Sequence, residues 1–152
     1  MNHIRNLSER RESALERLRS NTDNLWLATA DGVRGPHLIP VSYWWDGARL
    51  LTSTFDGSRT LRNIENQPRV RVALGSTTDV VMIDAVASIV ARTDVDDAAA
   101  EGYARASRIP RSTPGFTYIY LVPERIQVWR GPAEFSGRTV MRAGLWLDEP
   151  VD

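Results

Sequence analysis

Apolar residues change their spacing several times along this chain, and each change predicts an element. Leu7, Ala14, Leu15 and Leu18 form a narrow helical stripe amid charged residues. With Ser8 as cap and Glu9 in the first turn, they predict an outer helix over about 9–20. The period then becomes two. Leu25–Ala30 reads as a strand, Asp31-Gly32 as a hairpin turn, Pro36–Trp45 as a second strand, Asp46-Gly47 as another turn and Ala48–Thr54 as a third strand. Ser58–Asn66 predicts one to two helical turns with Leu61 and Ile64 inward, stopped by Gln67-Pro68. Arg69–Ser76 puts Val70, Val72 and Leu74 on one face and Arg71 on the other. Val80–Arg92 is a long strand, and Asp94 caps an Ala-rich helix to about Arg108. Phe116–Val122 and Arg125–Trp129 are two further strands joined through Pro123-Glu124.

About seven short strands, mostly in hairpins, with two or three helices between them favour a mainly β, closed or half-closed antiparallel barrel. A doubly wound nucleotide-binding sheet needs strand–helix alternation and a Gly-rich first turn, and the sequence has neither. The expected organisation is a single domain over 1–152, with an N-terminal helix within 1–21, a barrel core over 25–130 and a tail over 131–152.

Composition removes several chemistries. All 19 basic residues are arginine, which excludes a Schiff-base lysine and makes every cationic side-chain contact a guanidinium, suited to phosphate or carboxylate. There is no cysteine, so disulfides, thiolate catalysis and Cys-ligated metals are excluded. Two histidines without clustered carboxylates give no metal site. A net charge of zero supplies no global field toward nucleic acid or an acidic membrane. No apolar run approaches the roughly 20 residues that span a bilayer, and the N-terminus reads as charged and helical. The expectation is a cytoplasmic protein with no membrane or nucleic-acid partner.

The chemistry concentrates where the third strand runs into the short helix. Ser58, Arg59 and Thr60 put a hydroxyl, a guanidinium and free helix-start N–H groups together, the parts that hold a phosphate. Thr52, Ser53 and Thr54 present hydroxyls near the same point, and strand alternation allows only Thr52 and Thr54, or Ser53, to face a ligand. Arg62, one turn on, reaches the same anion or pairs with Glu65 or Asp56.

With these residues in place, the chain resembles the pyridoxamine-phosphate-oxidase-like split β-barrel family, from about Leu25 to Trp129. Its members typically show Ser-Arg-Lys, then a Leu four residues before a Pro preceded by Asn. Here the run is Ser58-Arg59-Thr60, then Ile64, Gln67 and Pro68. Thr60 replaces the lysine, Ala85 stands where many relatives carry glycine, and the ending Leu147-Asp148-Glu149-Pro150 lacks the Arg-x-x-Pro-like strand that contacts a B6 vitamer. The general look is closest to the actinobacterial branch of deazaflavin (coenzyme F420)-dependent reductases.

The resemblance implies a Greek-key-like split barrel of six to seven strands that dimerises, with a cofactor at the interface. It implies hydride transfer from reduced F420 to a small conjugated acceptor, with FMN as the alternative cofactor and a non-catalytic F420, FMN or haem carrier as the alternative role. Pro40, Val41 and Ser42 then lie beside the cofactor ring, since a proline within a strand marks an edge or bulge with free backbone groups. His37 protonates a substrate or pairs across its hairpin. Tyr43, Trp44, Trp45 and Trp129 line an aromatic pocket or fill core and interface, and in relatives the last strand, here carrying Trp129, covers the site from a neighbouring subunit.

Overall fold

In the computed structural model, which describes residues 3–20 and 23–151, the chain runs α1 (Leu7–Ser20), β1 (Leu25–Asp31), β2 (Gly35–Val41), β3 (Trp44–Trp45), β4 (Leu50–Phe55), α2 (Arg59–Asn66), β5 (Arg69–Ser76), β6 (Asp79–Val90), α3 (Asp97–Ser107), β7 (Phe116–Trp129), β8 (Thr139–Arg142) and β9 (Leu145–Trp146). The outer ends of the expected 1–21 and 131–152 segments lie outside the described residues. All strand pairs are antiparallel. The sheet path is β2-β1-β5-β6-β7-β4-β3, with β8 and β9 added beside β7. β2, at one end of this path, comes up against β4, next to the other end, without hydrogen-bonded pairing. That seam is where the mainly β barrel is split.

The described residues hold nine strands, more than the six to seven expected. The predicted second strand breaks into β2 and β3 at Ser42-Tyr43, and the tail adds β8 and β9. In the other direction, the two strands predicted on either side of Pro123-Glu124 are one continuous strand. The pairing of β6 with β7 shifts register between Asp84 and Ala85, opposite Glu124, so a bulge absorbs the proline that the sequence suggested as a break.

Helix ends also differ from expectation. Asn6, not Ser8, caps α1: its side chain accepts the Glu9 N–H at 2.9 Å while Glu9 accepts the Asn6 N–H at 2.8 Å, a capping box with Asn in place of Ser or Thr. Asp96, not Asp94, caps α3 by accepting the Ala99 N–H, because Arg92–Asp94 form a separate 3₁₀ turn. Ser58 caps α2 as expected, accepting the Leu61 N–H at 3.2 Å.

The core divides in two. Inward residues of the strands, with Ala14 and Leu18 of α1 and Leu61 and Ile64 of α2, fill the barrel. A smaller cluster of Leu51, Tyr118 and Tyr120 is covered by Val95, Ala99, Ala100 and Tyr103 of the α3 region. Leu50 and Leu51 are both fully buried because β4 is covered on both faces. No described helix is long and apolar enough to cross a membrane.

Candidate functional site: a cleft in the barrel seam

The strand that ends at the seam has an open edge. β3 pairs only with Leu50 and Leu51, so Thr52–Phe55 of β4 carry β7 on one side and face β2 on the other. β2 is itself a sheet edge, which explains how Pro36 and Pro40 fit within it. Between these edges lies a cleft of about 560 Å³.

Eight of the residues expected at the site line this cleft: Pro40, Val41, Ser42, Ser53, Thr54, Ser58, Arg59 and Thr60. They come from β2, β4 and the start of α2, three segments the sequence could only place separately. Ser53 and Thr54 both contribute, contrary to the alternation argument. Alternation governs the faces of a strand, and here the surface that meets the cleft is the strand's open edge. Thr54 donates to Ser58 Oγ at 3.1 Å, tying β4 to the cap of α2. Ser42 donates to Asn24 Oδ1 at 3.0 Å.

Arg59 has unused capacity. Its Nη2 reaches only the carbonyls of Arg34 and Gly35, at 3.3 and 3.5 Å, and its Nε is buried without a partner among the described residues. The first-turn N–H groups of Arg59 and Thr60 have no intrahelical acceptor. Asp31 on the neighbouring hairpin is held below the usual carboxylate range, chiefly by N–H groups of Arg34 and Val33 and more weakly by the charges of Arg34 and Arg59. A buried guanidinium nitrogen beside a helix start fits an incoming anion, so these residues suit the phosphate of a cofactor.

Three expected residues are not in the cleft. Thr52 is fully buried and donates to the Ser42 carbonyl at 2.8 Å, holding the seam rather than a ligand. Arg62 is exposed and bonds the Gly57 carbonyl. Trp129 lies at the far end of β7, paired with Val80 and packed edge-on against Phe135. Nor do Tyr43, Trp44 and Trp45 line it. Tyr43 donates to the Arg17 carbonyl at 2.7 Å, Trp45 is in the barrel core and Trp44 lies against Gly102 of α3. His37 does line the cleft, cross-strand from Thr29.

The structure adds residues that the pattern did not single out. Tyr103 of α3 lines the cleft and shares a 2.7 Å hydrogen bond with Ser53 Oγ. Phe116 and Phe55, with ring centroids 5.0 Å apart, form an apolar rim, and Ile39 and Ile109 add further apolar wall. The register Phe55↔Phe116 was within reach of the sequence, but nothing local in an Ala-rich helix marks Tyr103.

Comparison with known proteins agrees with this architecture. A comparison with curated proteins gives no match. Among solved structures, HutZ, a haem storage protein from Vibrio cholerae, is 18% identical, with 88% of this chain and 98% of that chain covered and a TM-score of 0.62. A haem binding protein from Mycobacterium smegmatis is 21% identical, covering 84% of this chain and 56% of that one, at a TM-score of 0.63. A structure named F420 reductase is 19% identical, covering 73% and 94%, at 0.58. At these identities the likeness is one of fold. The family described as pyridoxamine 5'-phosphate oxidase matches residues 12–130, nearly the whole barrel, and the chain belongs to that family.

Proposed function

We propose that this chain binds a phosphorylated, flat redox cofactor in the seam cleft, coenzyme F420 in the first place and FMN as the alternative, and works in the cytoplasm as an oxidoreductase. When bound, the cofactor supplies the hydride, and a small conjugated acceptor such as an enone or quinone receives it. The chain anchors the phosphate through Arg59, Ser58 and the first N–H groups of α2. It orients the ring against Pro40, Val41 and the open edge of β4, and it excludes water with the Phe55–Phe116 rim. The observation that carries this reading is the buried, partnerless Nε of Arg59 in a cleft that gathers eight expected residues. One thing favours F420 over FMN: one structural neighbour is named an F420 reductase.

The proposal extends to a homodimer, with the cofactor near the interface. The outward face of β2, β1, β5 and β6 supports it, because Trp26 and Leu38 there are 50% and 58% exposed. Trp129, outside its own chain's cleft, is then available to a partner's.

A second reading, a haem-binding protein without turnover, is favoured by His37 on the cleft wall, since an imidazole is a common axial ligand, and by neighbours named for haem. Oxidation of reduced F420 by a panel of enones and quinones separates the two. Turnover supports the oxidoreductase. Absence of turnover together with a haem spectrum lost in His37→Ala supports the carrier.

A further inference from the structure

We propose that Tyr103, acting through Ser53, is the proton-delivering group of the seam cleft. The inference rests on the oxidoreductase reading above and deepens it. Hydride transfer to a conjugated acceptor leaves a negative charge that needs a proton, and the sequence offers only His37 as a candidate donor.

The geometry supplies one. Ser53 Oγ and Tyr103 OH are 2.7 Å apart, and both residues line the cleft. Ser53 lies on the open edge of β4, beside the phosphate-side residues Thr54 and Ser58. If Tyr103 donates to Ser53, the Ser53 hydrogen is left to point at a ligand. Tyr103 is held firmly for this purpose. It is 2% exposed, its ring packs edge-on against Tyr118 at 5.5 Å, and its helix sits against Trp44 at Gly102, where a Cβ would come within 2.2 Å of the indole. A buried phenol usually finds one partner, although the Tyr118 hydroxyl beside Tyr103 has none among the described residues. Tyr103 finds its partner in a side chain of the cleft, although backbone carbonyls satisfy other hydroxyls nearby, as the Ser42 carbonyl does for Thr52.

The step balances. The acceptor's β-carbon gains hydride from the reduced cofactor, its C=C π pair shifts to the bond between Cα and the carbonyl carbon, the C=O π pair moves to oxygen, and the resulting enolate takes the Ser53 proton at Cα. Tyr103 returns a proton to Ser53, and solvent reprotonates the phenolate. His37 is the competing donor on the β2 wall.

The experiment compares wild type with Tyr103→Phe, Ser53→Ala and His37→Ala, using reduced F420 and cyclohexenone. Each protein is also titrated with F420 and FMN by tryptophan fluorescence. For Tyr103→Phe we expect cofactor Kd within about two-fold of wild type, and for both Tyr103→Phe and Ser53→Ala a kcat reduced roughly 10²-fold or more, the contribution of a positioned general acid. The wild-type solvent deuterium isotope effect should also shrink in both. A Tyr103→Phe protein with unchanged kcat and isotope effect overturns the inference while leaving the cofactor reading intact, as does a loss confined to His37→Ala. Loss of cofactor affinity in step with kcat in Tyr103→Phe makes Tyr103 a binding contact and also overturns it. Wild type that binds neither cofactor overturns the cleft reading, and the inference with it.

Discussion

Arg59 is a guanidinium with a partly used set of donors, and its worth should appear on binding rather than folding. Arg59→Ala is expected to weaken cofactor binding by about 1.5–3 kcal/mol, the range for hydrogen bonds to charged groups. It should leave the thermal midpoint nearly unchanged, because among the described residues its side chain makes two long hydrogen bonds to carbonyls. Glu134 is the opposite case. It is 2% exposed and accepts from the Arg5 N–H and side chain at 2.9 and 2.8 Å and from the Arg130 N–H at 2.7 Å. Burial alone would raise its carboxyl, but these bonds outweigh that and hold it at about 2, below an ordinary 4.5. A depressed folded pKa gives stability that is present above about 4.5 and is lost as pH falls toward 2. Denaturant titrations should therefore show wild-type stability dropping across that window. Glu134→Ala should cost roughly 3 kcal/mol at neutral pH, since it removes the main partner of buried Arg5 and leaves it Asp79 and Ser13. The Ser58–Arg59 pair was legible in the sequence because cap and cation are adjacent. Tyr103 and Glu134 were not, because their partners lie 50 and 129 positions away.

Elements follow their local signals where those signals are periodic, and depart where tertiary pairing wins. The hairpin turns, the α2 cap and the edge character of β2 were readable from Asp-Gly, Ser58 and Pro40. Pro123 misled, since a bulge at Asp84/Ala85 lets β7 run through it. Ser8 and Asp94 misled because a better-placed Asn6 and Asp96 each stand two residues away. Asn6→Ala should lower stability by about 1 kcal/mol, and Ser8→Ala should do little. Gly102→Ala puts a methyl into the Trp44 indole and is expected to cost about 1–3 kcal/mol. It should also displace α3 and with it Tyr103. Thermal melts of the three variants, with cofactor titration of Gly102→Ala, check these expectations.

At the scale of the molecule, a sheet that nearly closes leaves a seam, and the proposed site is that seam. One wall is the edge strand β2 and the other the open stretch of β4, so backbone groups as well as side chains face the cleft. No strand pattern announces this, because closure is a property of the whole path β2-β1-β5-β6-β7-β4-β3. The outward face bearing Trp26 and Leu38 should hold two copies together, and Leu38→Asp should shift sedimentation from dimer toward monomer. The most direct test of the central claim is titration of wild type and Arg59→Ala with F420 and with FMN, followed through the quenching of the five tryptophans. The account predicts saturable binding of F420, weaker binding of FMN, and a loss of roughly 10–100-fold in the variant. Binding of neither cofactor, or identical affinities in the two proteins, would contradict it.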